Sequence, residues 1–506
     1  MSDIRRQSII SSFVVYFGFV LGFVNTYLFT RQGENGFSQD EYGLTGLFIA
    51  VANIMFSLSN LGMQAYIYKF YPYYEENLKP KENDLMTRAL FTSAMGFITV
   101  MLAGIFFKNF VISKFDRTSP EFVTYYYWLL PFGAGLTIFS VLEAFAWQLQ
   151  KTVLTSFLRE VFFRLLTTVL VILTIMKVVP SYDVFIKLYA CTYLVIAGIL
   201  FGYLVYNKRI NLVFKRSRVS IRFRKKILAL VGFIWGGGLI FNISNVFDTL
   251  VIAHVLPDGL AFAGVYTLAQ NVASLVQAPQ RGIIAASIAP LSKAWKDKDF
   301  DKIRRIYKSS SINQLIFATG MFVFIWINFT DGIVTFKFRS AYIEAKDVFF
   351  FIGLMRIMDL GTGVNSQIIG TSTQWRFEFF TGMILLALTL PLNYFMTKSL
   401  GVIGPAISNL IALTVYNTIR YFFLLKKYNL QPFTSKTILT LVLGLFTYFI
   451  CHILFDGKIG LGWIVARSLV FAILYLGGIL LLNLSADVKP VLNTLKKKVG
   501  LSRTQS

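Results

Sequence analysis

Few residues in this chain of 506 have the types and spacing that bond-making chemistry needs. His254 and His452 are solitary, and Cys191 and Cys451 each lie within an apolar segment. They offer neither a metal-ligand spacing nor a disulfide framework. No G-x-S-x-G, Walker-type loop or H-E-x-x-H occurs. What recurs is amide and charge at helical spacing inside apolar sequence. Asn53, Ser57, Asn60 and Gln64 fall at i, i+4, i+7 and i+11, and Gln270, Ser274, Gln277 and Arg281 repeat that spacing. On a helix each set forms one narrow stripe. Such groups bond to one another across packed helices or line a hydrated cavity, because facing lipid tails is costly for them. Two matching stripes at corresponding places in two halves point to the cavity.

Charges inside apolar sequence are the second set. Arg356 and Asp359, at i and i+3, have the spacing of an intrahelical pair, and Gly363 and Gln367 continue their face. Asp248 lies one turn beyond Asn245 and two beyond Asn242, an arrangement suited to cation coupling or to capping a helix end. Glu160 and Arg164 at i and i+4 read as a surface pair, and Glu143 is similar. Gly18/Gly22 and Gly232/Gly236 each read G-x-x-x-G, a spacing for close helix packing.

The elements that position these groups follow from composition. The chain is 56% hydrophobic and 15% charged, with 51 phenylalanines, where a soluble protein carries roughly a quarter charged residues. Lipid must therefore be the solvent for much of its surface. Apolar runs near the ~20 residues needed to span a bilayer occur at 9–30, 43–66, 87–107, 122–147, 157–178, 183–206, 228–252, 262–289, 310–330, 347–367, 377–397, 401–424, 436–455 and 460–484. The fold class is all-α: a polytopic membrane protein of about fourteen helices. Arg5 and Arg6 precede the first run, but no small-residue cleavage site follows, so it is read as a retained helix.

The net charge of +24 would suit nucleic acid only on a soluble basic face. Here the basic residues lie between apolar runs and report topology. Of 49 Lys and Arg, 35 belong to one set of alternating connections with their adjoining helix ends and ten to the other. The remaining four, Lys187, Arg281, Arg356 and Arg467, are assigned to the runs themselves. Both termini are thus expected in the cytoplasm. The sequence predicts an N-terminal six-helix lobe at 1–206, a basic cytoplasmic linker at 207–227, a C-terminal six-helix lobe at 228–425, two further helices at 426–485 and a basic tail at 486–506. The linker, with nine Lys and Arg, would touch anionic membrane lipids. A weak repeat joins the halves: Tyr42 and Lys69 align with Tyr266 and Lys293 at an offset of 224, whereas the stripes align at 217. No outer connection exceeds about sixteen residues. That leaves little room for an extracytoplasmic enzyme domain, and no catalytic constellation or cofactor site is found.

Several short stretches resemble the bacterial polysaccharide flippases of the multidrug/oligosaccharidyl-lipid/polysaccharide exporter superfamily. They are Asp40-Glu41-Tyr42-Gly43-Leu44 leading to Asn60-Leu61-Gly62, Phe157-Leu158-Arg159-Glu160-Val161 followed by Arg164, and the stretch from Asp248 to Tyr266. To these is added Gly401-Val402-Ile403-Gly404-Pro405-Ala406-Ile407 after Pro391-Leu392-Asn393, with Pro405 in place of the family's usual Ala. The resemblance implies two six-helix lobes about a central cavity, two extra C-terminal helices, and alternating access in the bacterial inner membrane. The implied cargo is a lipid-linked oligosaccharide carried on polyprenyl diphosphate for surface polysaccharide, including lipopolysaccharide, biosynthesis. For that cargo Arg281 and Arg356 would contact the diphosphate, and Asn53, Asn60, Gln64, Gln270 and Gln277 would hydrate the sugar. Asp248 and Asp359 would couple transport to a proton or sodium ion. A peptidoglycan-precursor flippase and an ion-coupled multidrug exporter of the same superfamily are the alternative readings.

Overall fold

The computed structural model describes residues 3–33 and 36–485; the side chains of residues 3–13, Phe233, Phe241, Asn245, Arg281, Ala285, Ala289 and Trp375 lie outside the description, as does the basic tail at 486–506. Among the described residues the chain is helical, with no β-strand. All fourteen apolar runs fall on helices, numbered here one to fourteen in chain order. Nine stretches among the described residues are long and apolar enough to cross a membrane. The difference from fourteen has a physical cause. Helices eleven and twelve form one stretch, Arg376–Tyr428, joined by a single 3-10 turn at Gly401–Ile403. Helix five contains a π-helical turn at Phe157–Phe162, and helix ten divides into Ala345–Gly361 and Asn365–Thr371. Helix eight divides as well, and helix one is apolar over the shorter Val14–Thr30.

The surface behaves as a lipid-solvated one should. Phe106 is 81% exposed on helix three and Leu481 88% exposed on helix fourteen, exposures no aqueous surface would favour for such side chains.

The breaks in helices two and eight decide where the polar stripes go. Helix two runs as Gln39–Ser59, turns through Asn60, Leu61 and Gly62, and restarts as Met63–Asn77. Leu61 and Gly62 both have positive φ, 45° and 69°, and a Cβ at Gly62 would lie 2.7 Å from the Val231 carbonyl oxygen of helix seven. Glycine is therefore needed here both for conformation and for space. The carbonyls released by the break find other donors: Trp235 Nε1 on helix seven donates to the Ser57 oxygen at 2.8 Å. Helix eight runs as Gly259–Ala273 and restarts as Gln280–Lys296. The restarts at Met63 and Gln280 stand at the same offset as the two stripes, and each second piece carries an internal proline, Pro72 and Pro290. The stripe offset, not that of the tyrosine and lysine pairs, is therefore the structural register of the repeat. Neither stripe lies on one continuous helix, because each crosses a break.

By backbone contacts the chain divides into two units. One holds the residues through Leu268 together with Leu390–Pro405; the other holds Ala269–Thr389 and the residues from Ala406 on. In the first, Gly18 and Gly22 of helix one pack on helix five, where a Cβ at Gly18 would lie 2.6 Å from the Glu160 oxygen and one at Gly22 3.1 Å from Arg164. The expected close packing is present there. At Gly232 and Gly236 it is not seen, since among the described residues a Cβ at either would meet nothing within 4 Å. Glu160 and Arg164 pair at 3.3 Å but under helix one, with side chains 14% and 25% exposed, rather than on an open surface.

Candidate functional site

In the first unit the stretches 40–44, 248–266 and 391–393 come together. Gly43, in Asp40–Leu44, sits against helix eight so closely that a Cβ would lie 1.8 Å from the Leu260 carbonyl oxygen. The approach is reciprocal: a Cβ at Gly264 would lie 2.7 Å from the Gln39 oxygen, and one at Gly46 would lie 2.4 Å from Thr267 Oγ1. Only glycine permits two helix backbones to meet in this way. Ser119 Oγ donates to the Ala253 oxygen at 2.7 Å, and the Gly259 amide to the Thr118 oxygen at 2.9 Å, extending the contact around the end of helix seven.

One turn inside this contact lies Asp248, 2% exposed. Its Oδ2 accepts from Tyr266 Oη at 2.6 Å and its Oδ1 from Asn393 Nδ2 at 2.7 Å. Tyr266 and Asn393 are both fully buried. The three residues come from helices seven, eight and eleven, and from two of the stretches that resemble the flippases. A carboxylate at this depth needs donors or a cation around it. Both of these bonds cross to neighbouring helices, so Asp248 belongs to a three-helix cluster and is more than the end of a stripe shared with Asn242.

The second unit holds a longer polar chain. Asp359 accepts from Gln280 Nε2 on helix eight and from Asn417 Nδ2 on helix twelve, both at 3.1 Å. Asn365 donates to Asn417 at 3.0 Å and to Thr362 at 3.1 Å. The hydrogen bonds that Asp359 accepts thus come from amides on two other helices. Deeper along helix twelve Arg420, 3% exposed, pairs with Glu378 of helix eleven and stacks over Tyr416 at 3.7 Å; Ser366 donates to Glu378 at 2.5 Å. In sequence Arg420 reads as part of the basic end of helix twelve, close to Lys426 and Lys427. The overlooked signal was the periodic Asn409, Tyr416, Asn417, Arg420 sequence on one helix.

The remaining expected site residues are dispersed among local bonds. Asn53 Nδ2 donates to the Ile49 oxygen of its own helix at 2.7 Å, and Gln64 Nε2 to the Ser140 oxygen of helix four at 3.1 Å. Among the described residues the Asn60 side-chain oxygen is buried without a hydrogen-bond partner at the helix break. Gln270 is half-buried on the first piece of helix eight, and Gln277 lies in the turn between its pieces. Arg356 is half-buried on helix ten, and the Arg281 side chain lies outside the described residues.

The all-helical polytopic fold is matched by several solved membrane-protein structures. A lipid II flippase, MurJ, in an inward closed conformation superposes with a TM-score of 0.70 at 15% identity, covering 93% of this chain and 98% of that one. A multidrug resistance MATE family transporter of the MOP superfamily, inward-facing, gives 0.61 at 15% identity, covering 80% and 93%. A MATE protein in its straight conformation gives 0.54 at 15% identity, covering 83% and 94%. No protein-family model matches the chain, and no curated protein matches it by sequence. The chain therefore has the fold of the MurJ and MATE transporters, a multi-pass membrane fold.

Proposed function

We propose that this protein is a flippase that carries a polyprenyl-diphosphate-linked oligosaccharide across the bacterial inner membrane by alternating access. The observation that carries this reading is the full-length correspondence with the lipid II flippase fold, 93% of this chain against 98% of that one. The two MATE folds cover less of this chain, 80% and 83%. The resemblance of the Asp40–Leu44, Asp248–Tyr266 and Pro391–Ile407 stretches to polysaccharide flippases supports the cargo class. In this reading the basic connections lie in the cytoplasm, and the Gly43–Leu260 contact closes the outer face. Arg281 and Arg356 hold the diphosphate, which suits a guanidinium because it stays charged and offers forked donors. Asn53, Asn60, Gln64, Gln270 and Gln277 hydrate the sugar. Asp248 and Asp359 are the carboxylates through which a proton or sodium ion couples, each already placed among polar donors of other helices.

A second reading, transport of a peptidoglycan precursor, is favoured by the MurJ correspondence itself. The two readings share the carrier and differ in the head group. Reconstitution in vesicles holding either a labelled lipid-linked oligosaccharide or labelled lipid II separates them. The expected result is translocation of the oligosaccharide lipid, lowered at least tenfold by Arg281→Ala or Arg356→Ala, since each removes a charge-assisted contact of about 1.5–3 kcal/mol. Translocation of lipid II alone would transfer the protein to the second reading. Unchanged rates in both variants would remove the arginines from the path.

A further inference from the structure

In the first unit a cavity of about 430 Å³ opens where the basic link meets the restart of helix two. Arg88 of helix three, Arg216 of the link and Arg224 at the start of helix seven contribute its charge; Leu61, Ile221 and Leu228 contribute apolar wall. We propose that this cavity binds the phosphate headgroup and first methylenes of an anionic phospholipid, in the leaflet that faces the link.

The link is built into the fold rather than tethered loosely. Asp84 Oδ2 accepts from Ser220 Oγ at 2.8 Å and from the Ser217 amide at 3.1 Å, while the Val213 amide donates to Thr87 Oγ1 at 2.7 Å. Tyr66 Oη donates to Tyr74 Oη at 2.7 Å, and Tyr74 and Ser220 hydroxyls lie 2.6 Å apart. These bonds engage the Tyr66 and Ser220 hydroxyls of the cavity and the neighbouring carboxylate; Asp84 is engaged also by Arg88 at 2.5 Å. Arg216 and Arg224 have no acidic partner among the described residues. What the cavity offers a ligand is therefore unneutralised guanidinium beside hydrocarbon. Ile221 and Leu228, which line the cavity with those arginines, are 64% and 62% exposed, and Phe214 on the link is 81% exposed, the interleaving of basic and apolar side chains that seats protein at a membrane interface. A zwitterionic headgroup would bring its ammonium against the same arginines, and a free anion would leave the apolar wall in water.

The second unit contains an internal control. A cavity of about 360 Å³ there is lined by Arg305 and Ser309, which stand to Arg88 and Thr92 of the first cavity at the offset of the internal repeat. No residue of the link at 207–227 lines it, and among the described residues Arg305 is its single lining arginine.

The inference depends on membrane embedding and not on the cargo. Its test uses the full-length protein in detergent, titrated with phosphatidylglycerol or phosphatidylcholine and read by native mass spectrometry. Phosphatidylglycerol should be retained in preference to phosphatidylcholine. Arg216→Ala with Arg224→Ala should weaken that binding at least tenfold without changing the thermal midpoint, because both side chains are exposed. Arg305→Ala should bind as the wild type does, and replacing both link arginines by Lys should retain most of the binding. Undiminished phosphatidylglycerol binding in the double Ala variant overturns the proposal. Displacement by millimolar inorganic phosphate does the same by making this a free-anion site, as does tighter binding of undecaprenyl diphosphate, which would assign the cavity to cargo.

Discussion

Arg467 shows how single residues tolerate charge within the hydrocarbon. It is 6% exposed on helix fourteen, pairs with Asp331 of helix nine at 2.5 Å, and donates to the oxygens of Ile327, Phe455 and Lys458 at 2.7, 3.1 and 3.0 Å. One guanidinium thereby fastens helices nine, thirteen and fourteen. Arg467→Leu should lower stability by about 3–5 kcal/mol, because Asp331, only 15% exposed, would lose its partner; adding Asp331→Asn should recover part of the loss. Thermal unfolding in detergent measures both. From sequence Arg467 is visible as a charge inside an apolar run, but its acid lies 136 residues away, beyond the reach of any helical spacing. Arg420 was hidden for a similar reason: Glu378 is 42 residues away on another helix, and the nearby Lys426 and Lys427 make it look like part of a basic connection. Intrahelical spacing identifies Asp359 as a candidate, yet its hydrogen-bond donors, Gln280 and Asn417, stand on other helices.

At the scale of the element, glycine reports which faces touch. The two G-x-x-x-G pairs look alike in sequence and behave differently in the structure. Gly18→Leu should drive a side chain into the Glu160 backbone, separate helices one and five, and reduce the thermal midpoint by several degrees. Gly232→Ala, in open space on helix seven, should be neutral or stabilise by roughly 0.5–1 kcal/mol through helix propensity. Equal effects from the two substitutions would mean that the helix one contact is not as close as described. Element positions were legible because a bilayer imposes a length and a hydropathy that soluble folds do not. The breaks were harder to read. The stripe argument assumes one straight helix, whereas Asn60-Leu61-Gly62 and the Ser274–Pro279 turn end the first pieces of helices two and eight. The glycine and proline were present as signals, but neither residue alone distinguishes a break from a tolerated kink.

For the whole molecule, the proposed transport cycle requires that the Gly43 contact be made in one state and lost in another. The structure holds the contact closed, with the Asp40–Leu44 and Asp248–Tyr266 stretches brought together and Asp248 buried just behind them. A substitution that strains only the closed state must shift the balance toward the open one by its differential cost. Each increment of about 1.4 kcal/mol in that cost changes the ratio of states tenfold. A Cβ placed 1.8 Å from the Leu260 oxygen cannot be accommodated without separating the helices, so Gly43→Ala should favour the outward-open arrangement. The variant should fold and insert normally, label more readily at a cysteine introduced near Leu260 with a membrane-impermeant thiol reagent, and translocate cargo at least tenfold more slowly. Gly264→Ala, acting on the opposite side of the same contact, should reproduce all three effects, whereas Gly232→Ala should produce none. If Gly43→Ala instead abolished insertion, the contact would be permanent packing and the moving surface would lie elsewhere. If it folded and transported at the wild-type rate, closure at this point would not belong to the cycle.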